Sequence, residues 1–177
     1  MDLLSTSTRN HFESNKTALE LATLGATRLT IQNLFNSCSL NVRNEIDERR
    51  KERTVPLTRS GKVSSFLEFS NLEAYQLTAA FYQTYTLLTK DPDIEKPIDP
   101  KAFLESYQVL SVTYDHQSCR DHLDINRALS VLLKIREHSL KMVKCQSREC
   151  HCLYIVKFEK DLTVCPFCGS RNRESGL

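Results

Sequence analysis

Glycine, proline and long apolar runs are scarce in this chain of 177 residues. It has 4 Gly, 5 Pro and no Trp, and the scarcity of turn-forming residues favours long helices over a many-stranded sheet. No apolar run is long enough to span a membrane. The opening residues, MDLLSTSTRN, lack a basic segment before an apolar one, so we expect no signal peptide. These absences predict a cytoplasmic protein with no membrane association.

An excess of charge of one sign is also missing. The 24 Lys and Arg residues face 22 Asp and Glu residues, which leaves a formal net charge of +2. This balance does not by itself indicate nucleic-acid binding, so such an interface has to rest on local clusters of basic residues.

Patterns typical of enzymes are absent as well. The five His residues form no triad-like or metal-like pairing, and the chain has neither a phosphate-binding loop nor a dinucleotide fingerprint. We therefore expect a protein that is not an enzyme.

Apolar residues at helical spacing predict a mainly α-helical domain over residues 15–143. Residues 1–14 are polar without periodicity and are expected to be a flexible arm. The predicted helices cover residues 16–25, 29–35, 41–53, 65–90, 100–112 and 124–143, with a loop at 54–64 and a segment broken by prolines at 92–100. Gly25 is the expected stop of the first helix, and Asp99 with Pro100 is the expected start of the fifth.

The second and third predicted helices have the outline of a helix-turn-helix at about residues 28–53. Between them NSCS, from Asn36 to Ser39, is typical of a polar turn. Asn41 is suited to cap the third helix, and Val42 and Ile46 share one face of it. This arrangement is typical of proteins that place a helix in the major groove of DNA.

A local excess of basic residues follows in this region, with seven basic against four acidic residues between positions 41 and 62. Such a mixture is most often a solvated helix face, but its place on the third helix favours DNA binding. Its early residues would reach base edges and its later ones phosphates. The candidate DNA contacts are Asn41, Arg43, Asn44, Arg49, Arg50, Lys51, Arg53, Arg59 and Lys62. A second basic surface, and with it a two-part grip on DNA, is predicted from Lys141, Lys144, Arg148, Lys157, Lys160, Arg171 and Arg173.

Seven cysteines are present, an odd number, and five of them fall between positions 145 and 168. A disulfide scaffold spreads an even set along the chain, whereas a metal site clusters them. Cys38 and Cys119 stand alone in helical surroundings and are expected to be buried as small apolar residues.

The clustered cysteines have the spacing Cys145-x4-Cys150, fourteen residues, then Cys165-x2-Cys168-Gly169. Two pairs of thiolates match the tetrahedral preference of zinc, and four of them leave no open position for catalysis. The sequence therefore predicts one structural Zn²⁺ in a small zinc-ribbon-like module at residues 144–177. Between the pairs, LYIVKF predicts a strand. We expect about the last thirty residues to unfold without the metal.

The first pair of ligands leaves alternatives open. His151 and Cys152 compete with Cys145 as ligands. Cys150 is favoured over Cys152 because Tyr154 follows Cys150 by four residues, a spacing at which an aromatic ring can cover the turn. Two other chemistries fit less well. A redox Cys-x-x-Cys expects an α/β setting, and a zinc deaminase expects proline directly before its first cysteine, whereas Pro166 follows Cys165.

The run ALELATLGATRL, the helix-turn-helix outline after it, the segment DINRALSVLLKIREHSL and the terminal C…C…CPFCG occur in this order over about residues 15–169. Together they resemble the FlhC family of transcriptional activators, the larger subunit of the FlhDC flagellar master regulator of bacteria. The resemblance implies a mostly helical protein with a four-cysteine zinc site. It implies a hetero-oligomer with a small FlhD-like helical partner, which binds double-stranded DNA upstream of promoters and recruits RNA polymerase.

Two departures from the family pattern narrow the resemblance. The family's first cysteine pair is closer together than Cys145 and Cys150, which leaves the identity of the first ligand open. The family's proline-rich loop is reduced here to Pro56, and the tail after Cys168 is short. Compact relatives of this kind look like the FlhC-like activators of conjugative plasmids and integrative conjugative elements, so control of transfer genes is expected, with flagellar control as its competitor. A different hypothesis is a protein-interaction adaptor that uses exposed tyrosines of the helix at 66–88.

Overall fold

A computed structural model describes residues 6–36, 39–51, 72–92, 94–159 and 162–173. Over these residues the protein is mostly helical with short strands near the C-terminal end, which confirms the predicted class. The helices are α1 (Thr6–Thr23), α2 (Arg28–Phe35), α3 (Leu40–Lys51), α4 (Leu72–Thr89), α5 (Pro100–Thr113), α6 (His116–His122) and α7 (Ile125–Arg136). The strands are β1 (Leu140–Lys144), β2 (Leu153–Lys157), β3 (Leu162–Val164) and β4 (Arg171–Arg173). Within the same residues, no helix is long and apolar enough to cross a membrane.

Helix α1 begins at Thr6, so the flexible arm predicted for residues 1–14 is wrong from that residue onward, while residues 1–5 lie outside the described ones. Polar side chains near the start of α1 form hydrogen bonds with groups one turn away along the helix. The amide Nδ2 of Asn15 lies 3.0 Å from Nδ1 of His11, and a threonine hydroxyl bonds to the carbonyl one turn before it. Extending an existing helix is inexpensive because each added residue gains a backbone hydrogen bond. The missing apolar periodicity therefore marks a solvated face rather than an unstructured arm.

Helix α1 stops at the glycine that the sequence indicates. Gly25 has φ +95°, its N–H donates to the Ala22 carbonyl, and the Ala26 N–H donates to the Leu21 carbonyl. A left-handed residue at this position closes the last turn, and glycine adopts that conformation without strain. The chain then enters α2, where the Thr27 hydroxyl accepts a hydrogen bond from a first-turn N–H.

Helix α3 is capped by Ser39 and not, as predicted, by Asn41. Oγ of Ser39 accepts from the Val42 N–H at 3.4 Å, and Asn41 lies inside the first turn. Val42 and Ile46 are buried where α3 packs on α1, which confirms the predicted inner face. Cys38, expected to be buried, lies outside the described residues.

Helices α4 and α5 pack against each other in the centre of the core. The predicted helix at 65–90 is confirmed from Leu72 onward, whereas residues 52–71, which include the predicted loop, lie outside the described ones. Phe81 of α4 meets the rings of Phe103 and Tyr107 with centroids 5.7 and 6.4 Å apart. The predicted start of α5 is confirmed, since an aspartate carboxylate caps it and a proline occupies its first turn.

The helix predicted at residues 124–143 is wrong beyond Arg136, where α7 ends. His138 adopts φ +54° and donates its N–H to the Ile135 carbonyl, which turns the chain out of the helix. Leu140 keeps helical spacing in the sequence but is the first residue of β1, which pairs antiparallel with β2. Pairing with the second strand outweighs a local pattern that fits either structure.

The hairpin of β1 and β2 connects the helical core to the cysteines. Leu140 and Ile155 are buried in the same core as the helices, with β1 against α7 and β2 against α4. The alternate residues Val143 and Tyr154 pack around the cysteines instead. Because successive side chains point to opposite faces of a strand, one face of the hairpin packs on the helical core and the other packs around the cysteines. The predicted boundary between residues 143 and 144 thus falls inside β1. Strands β3 and β4 form a second antiparallel pair.

Candidate metal centre

The connecting turns of the two hairpins carry the five clustered cysteines, and each turn supplies two of them to one site. Cys145 and Cys150 lie between β1 and β2, and Cys165 and Cys168 lie between β3 and β4. The four Sγ atoms all lie within 4.8 Å of one another. Four close cysteines of this kind can hold a metal ion, and the set is compatible with zinc.

The distances between the sulfurs fit a shared ion better than a disulfide. Sγ of Cys145 lies 3.6 Å from Sγ of Cys168, and Sγ of Cys150 lies 3.8 Å from Sγ of Cys165. Four sulfurs around a tetrahedral zinc ion with Zn–S bonds of about 2.3 Å lie about 3.8 Å apart. A disulfide would need about 2.05 Å, and none of the four cysteines forms one.

Hydrogen-bond donors surround the sulfurs of Cys150, Cys165 and Cys168. Sγ of Cys150 accepts from the Cys152 N–H, and Sγ of Cys165 accepts from the N–H groups of Phe167 and Cys168. Sγ of Cys168 accepts from both the hydroxyl and the N–H of Ser170. Such donors favour the thiolate, the form that binds metal.

The thiols influence one another strongly. The Ser170 hydrogen bonds lower the pKa of Cys168 to about 6, whereas burial, with help from the Cys145 and Cys168 thiols, raises the pKa of Cys165. Thiolates this close repel one another, so a bound cation is needed to stabilise the deprotonated cluster. A divalent ion offsets this repulsion and keeps coordinating thiols deprotonated. The donor set therefore fits zinc.

The geometry separates the candidates for the first pair. Cys145 is buried and belongs to the cluster, whereas Sγ of Cys152 donates to the Cys150 carbonyl at 3.5 Å. His151 is exposed and has φ +52°. The structure thus groups Cys145 with Cys150 and the CPFCG pair. Cys152 contributes its backbone N–H, and its thiol also bonds to Sγ of Cys150.

Gly169 has a conformational role in the second turn. Its φ is +72°, and its N–H donates to the Cys165 carbonyl at 2.9 Å. A Cβ added at Gly169 would meet nothing within 4 Å. The turn therefore requires glycine for its left-handed backbone rather than for space beside the cysteines.

Aromatic rings cover the cysteines, as expected for Tyr154, which is buried with Cys145 and Cys165. The sequence did not indicate Tyr75 of α4, whose ring meets Phe167 edge to face with centroids 6.4 Å apart. Nothing near Tyr75 in the sequence points to the cysteines, because the contact joins residues far apart in the chain. Ser170 was also missed, although its place two residues after the last cysteine is a local signal.

The predicted DNA contacts are only partly within the described residues. Asn41, Asn44 and Lys51 are exposed on α3, and Arg43 is half-buried. The acidic Asp47 is also exposed there, so the described surface of α3 has mixed charge. The side chains of Arg49 and Arg50, and all of Arg53, Arg59 and Lys62, lie outside the described part.

The second predicted basic surface lies on the hairpins. Lys144, Arg148, Lys157 and Arg171 are exposed, whereas Lys141 is half-buried with Nζ 5.3 Å from the centroid of the Phe158 ring. Lys160 and the side chain of Arg173 lie outside the described residues.

Comparison of the chain with protein-family models, curated proteins and solved structures finds no match. A functional conclusion therefore has to rest on the residues themselves.

Proposed function

We propose that this protein is a DNA-binding transcriptional activator that resembles FlhC and holds one structural Zn²⁺ through Cys145, Cys150, Cys165 and Cys168. The observation that carries the proposal is the cluster of four sulfurs within 4.8 Å. A tetrahedral ion with four thiolates has no position for a water or a substrate, so this centre stabilises a fold rather than performing catalysis. A structural zinc module beside a helical domain is the organisation that the resemblance implies.

Helices α2 and α3 are the proposed helix-turn-helix, with α3 as the recognition helix. Supporting this, α3 buries Val42 and Ile46 against α1 and exposes Asn41 and Asn44 near its N-terminal end. Recognition helices contact base edges mainly with the residues at that end. The basic residues from Arg49 onward then meet phosphates.

The proposed partners follow from the order of the sequence motifs. A FlhD-like helical subunit forms a hetero-oligomer with this chain in the bacterial cytoplasm, and the complex binds upstream of promoters and recruits RNA polymerase. Activation of conjugative transfer genes is the proposed role, and the reduction of the family's proline-rich loop to Pro56 supports it over flagellar control.

The test is a DNA titration of the protein purified together with its FlhD-like partner. We expect tighter binding to the upstream region of a target promoter than to a shuffled sequence of equal length. We also expect the logarithm of the binding constant to fall linearly with the logarithm of salt concentration. Equal affinity for the promoter and the shuffled sequence would contradict the proposal.

The adaptor hypothesis loses the observation that motivated it, because the tyrosines of α4 are not exposed. Tyr75 packs against Phe167, Tyr82 is half-buried and donates its hydroxyl to the Pro92 carbonyl, and Tyr85 is buried. Their hydroxyls and rings serve internal contacts. We therefore favour the DNA-binding activator.

A further inference from the structure

We propose that Cys152 is an alternative ligand of the metal centre, which takes the place of Cys150 when that sulfur is lost. The inference rests on the proposed zinc centre and adds a fifth cysteine to it.

Cys152 faces Cys145 across the hairpin. Its carbonyl accepts from the Cys145 N–H at 2.8 Å, which continues the register in which Lys144 pairs with Leu153. Residues opposite each other in antiparallel strands project to the same face. Val143 and Tyr154, the next pair on that face, pack around the cysteines. The side chain of Cys152 therefore projects from the face of the hairpin that carries the metal site.

The sulfur of Cys152 has only a short distance to move. Sγ of Cys152 lies 3.5 Å from the Cys150 carbonyl and also bonds to the Cys150 thiol. A change between staggered χ1 rotamers moves a cysteine sulfur by about 3 Å. A rotation of this size redirects the sulfur from the carbonyl towards the cluster, without a change of strand register.

The ligands of the metal centre also differ in exposure. Cys145 and Cys165 are each 1% exposed, whereas Cys168 is exposed and Cys150 is half-buried, so these two are open to alkylation or oxidation. Of the two, Cys150 is the one with a further thiol beside it. Serine or a modified cysteine at this position leaves three sulfurs around the ion. A neighbouring thiol on the same face restores the four that zinc prefers.

The experiment compares the full chain with Cys150→Ser and with Cys150→Ser/Cys152→Ser. Each is loaded with Co²⁺ in place of zinc, and the thiolate-to-cobalt charge-transfer absorbance is measured per bound ion. The matched controls are Cys152→Ser and Cys150→Ser/Cys119→Ser, since Cys119 is buried away from the cluster. We expect the single variant and both controls to keep the absorbance of four sulfurs. We expect the double variant to lose about a quarter of it and to bind zinc at least about tenfold more weakly.

Equal absorbance of Cys150→Ser and Cys150→Ser/Cys152→Ser, at the level of three sulfurs, would overturn the proposal. If the wild-type chain binds no metal, the zinc centre itself fails, which is a distinguishable result. A second measurement avoids dependence on the folding of the variants. Metal-loaded wild-type and Cys152→Ser proteins are partly alkylated and weighed by native mass spectrometry, and fragmentation distinguishes the species alkylated at Cys150 from those alkylated at the exposed Cys168. We expect the species alkylated at Cys150 to retain its ion in the wild type and to lose it in Cys152→Ser; loss in both would also overturn the inference.

Discussion

Oδ1 of Asn126 accepts a hydrogen bond from the Thr30 hydroxyl at 2.6 Å, although the two residues lie 96 positions apart in the chain. The same oxygen accepts from the Thr27 N–H at 2.8 Å, and Nδ2 donates to the Gly25 carbonyl at 3.1 Å. One amide side chain at the start of α7 therefore holds the corner between α1 and α2. Since α7 leads into β1 and the cysteines, this contact links the proposed DNA-binding helices to the metal module.

Replacement of Asn126 with alanine is expected to destabilise the protein by about 2–3 kcal/mol, because partly buried donors and acceptors at the corner lose their partner. Urea denaturation followed by circular dichroism measures this change. Asn44→Ala on the exposed side of α3 is the control and is expected to change stability by less than about 0.5 kcal/mol. Equal stability of the two variants would show that the corner does not depend on Asn126.

Asp124 predicts a specific pH dependence. Burial raises the pKa of its carboxyl above the ordinary 3.8, although the Arg127 and Asn126 N–H groups partly oppose the shift. The folded state thus binds the proton more tightly than the unfolded state. The resulting stability is present below the ordinary pKa and is lost as pH rises through the raised one. We expect the wild type to lose stability relative to Asp124→Asn over this interval, as measured by urea unfolding between about pH 3 and about pH 7. If the stability of the wild type relative to Asp124→Asn stays constant or increases as pH rises, the predicted direction of the pH dependence is wrong.

Removal of the metal is expected to weaken the helical core as well as the last thirty or so residues. The reason is that Leu140 and Ile155 of the β1–β2 hairpin belong to that core, and Tyr75 contacts Phe167 beside the cysteines. We expect a chelator to lower the thermal midpoint of the helical signal by more than about 10 °C, since each kcal/mol corresponds to about 2–4 °C at this size. An unchanged helical transition would show that the two parts unfold independently.

Substitution of either cysteine in the second turn is expected to lower the zinc content of the purified protein below one ion per chain, because three sulfurs hold the ion at least about tenfold more weakly. Cys165→Ser and Cys168→Ser each leave three sulfurs, and neither has a further cysteine beside it in the CPFCG turn. Cys119→Ser, which changes a buried cysteine of α6, is expected to retain one zinc ion per chain. Metal analysis of the purified proteins measures this difference. Full zinc content in Cys165→Ser would place the ligand elsewhere.

Lys51→Ala is expected to reduce the salt dependence of DNA binding. Lys51 is exposed at the end of α3, and removing one ion pair between a lysine and a phosphate lowers the slope of log affinity against log salt by about one. Lys101→Ala is the matched control, because Lys101 is exposed on α5 beside Glu105. Identical slopes for both variants would remove Lys51 from the interface.

Features of the fold that depend on neighbouring residues could be predicted from the sequence. Gly25 ends α1, an aspartate and a proline start α5, and the strand predicted from LYIVKF is β2. The predictions that failed depend on distant contacts. The helix at 124–143 ends early because β1 pairs with β2, and residues 6–14 are helical because they extend a helix that is anchored further along.

The sequence by itself determined that cysteines form two pairs and that the rest of the chain is mostly helical, because ligand spacing and apolar periodicity are local properties. Only the tertiary structure decided which cysteines meet, and it groups Cys145 rather than Cys152 with Cys150, Cys165 and Cys168. Cys145 and Cys152 face each other across the hairpin, so spacing alone does not distinguish them. The packing of Tyr75 on Phe167 and the bonds of Asn126 were likewise decided by the fold, since each joins segments that only packing brings together.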